Sequence, residues 1–369
     1  MTIGHGKGTG GSKVRVSCKA LTVMAIASMM ALGGLAALFC ADDSSAEEFV
    51  DGGLRYELRD ITSKGTVLVL LGPADKDLTE LTIPDTVTYS AVDYPVYSVD
   101  KYAFKDCKKL KKVDMGNKVE GIELHAFYGC SALETIKFSS SLRYIDFLAF
   151  AGCSSLKSLD FPASLYYISY EAFSECTSLT SVEVPKTLES IDELAFVNCT
   201  SLKSINVAED HESYSSVDGV MFNKAKTELR ICPAGLSSYT VPKDVTSVAK
   251  AFSGDKLNKV EFVGGCKTTI GGGAFNSCSS LTIVIRSGAD VTFESNSIVF
   301  GDLEQHTITV RSADDYRVPE VAYDPDYVKI VYKGLDDGSD PIWYIVGGVI
   351  LALIIGGAIV YTVIKRRSQ

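Results

Sequence analysis

The sequence predicts a solenoid of stacked 23-residue coils, with a parallel β-sheet along one side and short helical turns or loops elsewhere. β-rich caps close it, and a single transmembrane helix follows at the C-terminus. Three observations predict this. Ala-Phe occurs at residues 103, 126, 149, 172 and 195, each 23 after the last, and again 23 apart at 251 and 274. On that lattice Cys, Leu and Ile return at fixed offsets. Finally, Trp343 to Ile364 is a run of 22 residues without a charge.

The N-terminal element is an export signal. Residues 1–19 carry Lys7, Lys13, Arg15 and Lys19 and no acid, and Ala20 to Cys40 is uncharged. Ser44-Ser45-Ala46 offers small residues for a signal peptidase, so residues 1–46 are assigned as a signal peptide, with an uncleaved anchor as the alternative. Cys40 is a poor lipoprotein cysteine, since the bulky Leu38-Phe39 precede it.

At the other end, 22 residues rising about 1.5 Å each span about 33 Å, enough for a bilayer core. Trp343, Tyr344 and Tyr361 sit where aromatic belts belong. Lys365-Arg366-Arg367 (within the tail 365–369) puts the C-terminus in the cytoplasm and everything between the two apolar runs outside. Gly348, Ala352 and Gly356 stand at four-residue spacing, the pattern that lets two such helices approach; small residues are also simply common in membrane helices.

With the flanking bases set aside, residues 41–364 hold 29 Lys and Arg against 46 Asp and Glu, a net charge of −17. Such a field disfavours nucleic acid and anionic lipid surfaces.

A fixed period of 20 to 50 residues signals a solenoid or array. Counting Ala as position 1, Cys holds position 5 in Cys107, Cys130, Cys153, Cys176, Cys199 and Cys278, and Leu holds position 8 in the same copies. Apolar residues fill positions 11 and 13, and Ile fills position 20 in four copies. Positions 10 to 14 alternate, as in Ser181-Val182-Glu183-Val184-Pro185, the pattern of a half-buried strand. The Leu and Ile of positions 17 and 20 can mark a second extended segment. One unit cannot bury its own Phe, Leu and Ile, so neighbouring coils must bury them in one column.

The consensus Ala-Phe-x-x-Cys-x-x-Leu-x-x-Ile-x-Phe-Pro-x-x-Leu-x-x-Ile resembles the BspA-type leucine-rich repeat of microbial surface proteins, over residues 97–285. The interruption near 206–250, with Asp218 to Lys224 and Leu229 to Pro233, resembles the hairpin often inserted there. The copy beginning at Ala251 departs, with Asp255 in the Cys place and Leu257 one residue early, and is expected to be distorted. The resemblance implies adhesion and host or community contact. Residues 47–96 are assigned as an N-terminal β cap, 286–333 as a C-terminal β cap, and 334–342 as a polar stalk before the membrane helix 343–364.

Catalysis finds little support. His5, His125, His211 and His306 lie far apart, and the pair His125 and Cys130 is not repeated in copies that keep the Cys. A catalytic residue has no reason to be copied six times, so no enzyme activity and no cofactor are expected. One Cys per coil makes a line of thiols rather than a zinc tetrahedron. Export permits disulfides, yet Cys also behaves as a small buried hydrophobe; the lattice cysteines are assigned as structural thiols. Cys232 and Cys266 stand off the lattice and are the better disulfide candidates. The one sequon, Asn198-Cys199-Thr200, is weak.

Function then falls to the surface. Positions 10 and 12 point away from the core, giving the rows Lys112, Thr135, Ser158, Ser181, Ser204 and Asp114, Lys137, Asp160, Glu183, Asn206 as a candidate binding face. Tyr144, Tyr166, Tyr167 and Tyr170 are candidate aromatic contacts. The expectation is a membrane-anchored, non-catalytic surface protein binding an extracellular protein or glycan; the alternative is an envelope component that self-associates laterally.

Overall fold

A computed structural model describes residues 47–252, 254, 256–275, 278, 280–296, 298, 306–312, 328–334, 342–346 and 349–353. Within them each repeat is one coil with three hydrogen-bonded sides. The alternating segment at positions 10 to 13 forms the front ladder. Glu80–Thr82, Lys112–Asp114 and Thr135–Lys137 pair in parallel, as do Ser181–Val184 and Ser204–Val207.

A second parallel ladder runs through positions 19 and 20, pairing Gly121–Ile122, Tyr144–Ile145, Tyr167–Ile168 and Ser190–Ile191 in register. The expected single sheet is therefore corrected to a sheet on each of two sides. The Ile of position 20 points inward here, as Val113 and its equivalents do in front, so each coil is closed by two short strands.

The third side is the Ala-Phe-x-x-Cys segment. It contains no helix, and no α-helix occurs among the described residues, which corrects the expected helical turns. Its backbone instead bonds from coil to coil. The amides of Tyr102, Phe104 and Asp106 donate to the carbonyls of Leu124, Ala126 and Tyr128 at 3.0, 2.7 and 2.8 Å, and the pattern repeats in the next coils. Left-handed backbone at position 4 turns the chain out of this segment: Asp106, Gly129, Gly152, Glu175 and Asn198 have φ between 58° and 75°. Tyr102, His125, Leu148 and Glu171, just before the Ala, share that conformation.

The core is a stack of identical residues. Phe104, Phe127, Phe150, Phe173 and Phe196 lie face to face with centroids 5.0, 5.1, 5.3 and 5.5 Å apart. Each is buried with the Leu and Cys of its coil. Burying such a side chain contributes roughly 1.5–3 kcal/mol, and an aromatic pair about 0.5–1.5 kcal/mol beyond that.

The front ladder is interrupted at residues 158–161. Phe138 and Phe161 occupy position 13, where other coils place Met115, Val184 or Val207, and they stack 5.5 Å apart. That exceeds the strand spacing of about 4.8 Å. Both rings also pack edge-on against the core column, at 5.9 Å from Phe150 and 5.7 Å from Phe173.

The insertion is a three-stranded antiparallel element, Tyr214–Val217, Val220–Asn223 and Glu228–Ile231. Its last strand pairs in parallel with Ser247–Val248, and the rear ladder continues through Lys267–Ile270 to Asp290–Phe293. In front Ser238–Val241, Lys259–Phe262 and Ser280–Ile285 form the corresponding ladder. The copy at Ala251 keeps its place in the core despite its altered sequence: Phe252 is buried and stacks on Phe275 at 5.2 Å.

At the N-terminus the strands Glu48–Asp51, Leu54–Ile61 and Gly65–Pro73 are antiparallel, and the last pairs in parallel with Val92–Val99, the entry to the rear ladder. Toward the C-terminus His306–Ser312 and Val328–Gly334 extend the front ladder in parallel. Residues 1–46, with the expected export signal, lie outside the described residues.

The expected helix over 343–364 is not what the described part of that run shows. Ile342–Val346 and Val349–Leu353 pair as antiparallel strands, and among the described residues no helix is long and apolar enough to cross a membrane. β-Branched Ile and Val flanking Gly347-Gly348 are good hairpin formers when paired locally. Residues 354–364 lie outside the described residues.

Candidate functional site

The front ladder presents the two outward rows in register. Lys112 stands beside Thr135 and Asp114 beside Lys137; further along, Ser181 stands beside Ser204 and Glu183 beside Asn206. Their inward neighbours Val113, Ile136, Val182 and Ile205 are buried, which fixes which side chains face solvent. Ser158 and Asp160 lie in the interrupted coil and are exposed.

Several row members are engaged with each other. Lys137 Nζ lies 3.1 Å from the Asp114 carboxylate, and Asn206 Nδ2 donates to Glu183 Oε1 at 2.6 Å. Burial alone would raise Asp114, but the Gly116 amide and the Lys137 ammonium hold it below the usual carboxylate range. One position before these rows, Lys157 pairs with Glu134 at 2.9 Å and holds that carboxylate down as well. Exposed pairs of this kind add little stability. Lys112, Thr135, Ser158, Asp160 and Ser181 have no ion pair or side-chain hydrogen bond among the described residues, so these remain available to a partner.

The four tyrosines do not form one cluster. Tyr144 lies over Gly121, where a Cβ would collide with its ring and hydroxyl, and donates to Glu123 Oε1 at 2.6 Å. Burial raises the Glu123 carboxyl and, with Glu123 beside it, raises the Tyr144 phenol. Tyr167 is on the same ladder, its hydroxyl donating to Ser169 Oγ at 3.3 Å. Tyr166 is exposed under the Arg143 guanidinium at 5.3 Å. Tyr170 belongs to another corner, stacked on Phe147 at 5.5 Å, with its phenol pushed up to about 12 by burial and by Glu171.

The lattice thiols face inward. Cys130, Cys153, Cys176 and Cys199 each direct Sγ at the Phe carbonyl 26 residues earlier, at 3.1, 3.3, 3.4 and 3.1 Å. Cys278 does so at 3.7 Å to Phe252. Burial pushes Cys130 up to about 12 and Cys153 and Cys176 well above the usual thiol range. Cys107 is buried too, and Cys232 and Cys266, expected as disulfide candidates, are buried free thiols. Both fill core positions of the second half, where neither meets another Cys in a bond.

No hydrogen bond joins His125 to Cys130 among the described residues: the thiol turns to Phe104, and His125 Nδ1 is buried without a partner. Nor does any group of three or more His, Cys, Asp or Glu among them converge as metal ligands. The sequon asparagine sits in the left-handed turn with its Oδ1 buried, next to the fully buried Cys199. His306 has a described backbone in the front ladder, and His5 lies outside the described residues. An open cleft of about 360 Å³ near the N-terminal strands is lined by Gly53, Asp75, Asp77, Leu78 and Glu80 among others.

Sequence reasoning missed the corner at Tyr102, His125 and Tyr128. There His125 stacks on Tyr102 at 5.1 Å and tilts against Tyr128 at 5.1 Å. Those residues lie just outside the most regular lattice positions, which is why periodicity alone passed over them.

The match to known families follows the coils. The model of the BspA type leucine rich repeat region matches residues 96–226 and 232–313, in six copies, more than half of the sequence. The chain belongs to this family. Among similar solved structures, a leucine-rich repeat protein from Bacteroides ovatus ATCC 8483 is 21% identical, with 78% of this chain and 76% of that one covered and a TM-score of 0.48. A leucine rich cell surface protein from Faecalibacterium prausnitzii A2-165 is 21% identical over 80% and 97%, TM-score 0.42. The pneumococcal vaccine antigen PcpA is 19% identical over 78% and 93%, TM-score 0.46. No curated protein matches this sequence.

Proposed function

We propose that this BspA-type repeat protein is a non-catalytic cell-surface binder, held to the membrane by residues 343–364 with its coils outside and its C-terminus in the cytoplasm, and that the front sheet face receives an extracellular protein or glycan. The observation that carries the reading is the exposed set Lys112, Thr135 and Ser181 on the front strands, with Ser158 and Asp160 in the interrupted coil between them, left without side-chain partners among the described residues on a face whose inward neighbours are buried. An extended, rigid surface of repeated polar groups is the usual binding surface of a solenoid. The uncharged run followed by Lys365-Arg366-Arg367, and the basic then apolar N-terminus, support the topology.

The intact protein is assayed on panels of cells, matrix proteins and glycans, beside a variant carrying Thr135→Arg, Ser158→Arg and Ser181→Arg. Saturable binding lost in the variant, with its thermal unfolding unchanged, is the expected result. Failure to find any saturable partner, or binding indifferent to the triple variant, defeats the assignment of this face. Membrane insertion is read separately, from retention of the full chain in a carbonate-washed membrane fraction; release into the wash rejects the anchor.

A further inference from the structure

We propose that the corner of the first coil, around Tyr102, Lys105 and Tyr128, is a binding site for an acidic glycan, one whose sugar rings carry carboxylate or sulfate groups. The charge distribution points there first. Residues 101–109, which make this corner, contain four lysines and one aspartate, whereas residues 41–364 as a whole hold 29 bases against 46 acids. One corner is thus basic in an acidic molecule, and a local field of that sign concentrates anions at it.

The side chains at the corner give this charge a shape. Tyr102 is 46% exposed, with His125 stacked against its ring at 5.1 Å and 22° between planes. Lys105 Nζ lies 5.5 Å from the Tyr102 centroid and 5.2 Å from that of Tyr128, so the two rings hold one ammonium between them. Lys76 comes to the same place from the N-terminal strands, its Nζ donating to Lys105 O at 3.4 Å. The aromatic rings continue into the next coils through Phe147, edge-on to His125 at 5.5 Å, and Tyr170, which stacks on Phe147.

The nearby acids do not cancel this charge. Asp77 is taken by Lys109 at 2.9 Å, Asp100 by the two guanidinium nitrogens of Arg59 at 3.1 Å each, and Glu123 by Tyr144. Asp106 on this coil, Asp75 next to Lys76 and Asp146, which acts on His125, are the carboxylates left, against Lys76, Lys101, Lys105 and Lys108, none of which has an ion-pair partner among the described residues.

An exposed ring beside unpaired ammonium groups matches the two faces of an acidic sugar. The C–H face of a pyranose is apolar and packs on an aromatic ring, while its anionic group is met by lysine, a compact point charge with three donors. Nucleic acid could also stack and pair, but it carries a charge every ~1.7 Å and would meet the repulsion of the remaining acidic surface. A sugar polymer with one anion per one or two rings asks for only the few cations present. The corner is on a different side of the coil from the front sheet rows, so the two sites stand or fall separately.

The test is titration of the full-length protein with an oligogalacturonate and with chondroitin sulfate, using neutral dextran, polyglutamate and single-stranded DNA as comparisons. Saturable binding to at least one of the first two is expected, weakening with salt, and the tighter of them identifies the anion. Lys105→Met, which keeps the alkyl stem, and Tyr102→Asn, which tolerates the left-handed backbone, should each weaken it by about tenfold or more. Lys243→Met, a lysine of the second half, should leave it unchanged. Absence of binding to both acidic glycans, equal or tighter binding of polyglutamate or DNA, or indifference to Lys105→Met and Tyr102→Asn in folded protein overturns the proposal.

Discussion

The lattice cysteine shows how a residue can be repeated for packing and still make a directed contact. Cys153 is fully buried, its Sγ 3.3 Å from Phe127 O, and the absence of water around it raises the thiol well above its usual range. The thiolate is the reactive form. Native protein should therefore show no labelling of Cys130, Cys153 or Cys176 by iodoacetamide at neutral pH, and full labelling once unfolded; rapid native labelling of any of the three contradicts their place in the core. Cys153→Ala removes one heavy atom from a closed column and leaves a small cavity, at a cost of roughly 1 kcal/mol, read as a shift in the urea midpoint with glycan or cell binding intact. His211 makes a different use of burial. Its Nδ1 accepts the amides of Ser213 and Tyr214 at 3.1 and 3.2 Å, which fixes the entry to the inserted strands and requires the ring to be neutral. Burial lowers its pKa below the ordinary 6.5. The folded value being the lower one, the contribution is fully present above pH 6.5 and is lost as pH falls through the folded pKa. Protection of the amides in residues 214–231, taken relative to their intrinsic exchange rates, should fall between pH 7 and pH 5, and His211→Asn, which keeps an acceptor without titrating, should abolish that pH dependence.

At the scale of the element, the coil was legible wherever one residue type answers one demand. Phe, Cys, Leu and Ile recur because each faces the same residue in the coils on either side. The rear ladder was only half legible: from Gly121–Ile122 to Ser190–Ile191 its strands are two residues long, too short for alternation to declare them, so the Ile of position 20 pointed to an extended segment without fixing a sheet. The left-handed turn at position 4 left a signal that was not used, since Asp106, Gly129, Gly152 and Asn198 are the residue types that tolerate positive φ. Glu175 is the exception that measures the demand. It is exposed at φ 58°, where its neighbour coils place Gly152 and Asn198. A left-handed non-glycine residue costs about 1–2 kcal/mol, and glycine returns part of that gain through a freer unfolded chain. Glu175→Gly should stabilise by a few tenths to about 1 kcal/mol, and Glu175→Val should destabilise, both read from thermal unfolding; the opposite order contradicts a backbone origin. The interruption at residues 158–161 was hidden because Leu159 and Phe161 keep the apolar alternation of a strand although the backbone there does not pair as one. The rows of positions 10 and 12 were legible as outward positions; their mutual pairing was not, because side-chain reach between coils is not written in periodicity.

For the molecule as a whole, the decisive feature is how the insertion joins two cores. One cluster runs from Leu54 to Ile231 and the other from Val220 to Val310, so the inserted strands contribute to both. Val220 and Phe222 face the second and Met221 between them the first, the alternation of a strand between two apolar layers; on the paired strand a register shift that leaves Arg230 extra lets Ile231 face the first while Leu229 and Cys232 face the second. Arg230, held by Glu228 of its own strand at 2.9 Å, clamps that strand to the first half through Glu193 at 2.5 Å. In a solenoid each coil touches only its neighbours, so damage spreads by nearest-neighbour coupling rather than through a common centre. Phe222 is buried, and Phe222→Ala should remove about 3–5 kcal/mol from its own layer. The loss should therefore be unequal. Hydrogen exchange of the intact protein is expected to show strongly reduced protection in residues 238–285, adjacent to that layer, and much smaller changes in residues 97–168, which are several coils away in the other cluster. Met221→Ala should reverse the weighting, loosening residues 181–207 before residues 259–285. Uniform loss of protection from end to end in both variants would mean that the insertion couples the two cores into a single cooperative unit, and the nearest-neighbour account of this solenoid would have to be abandoned.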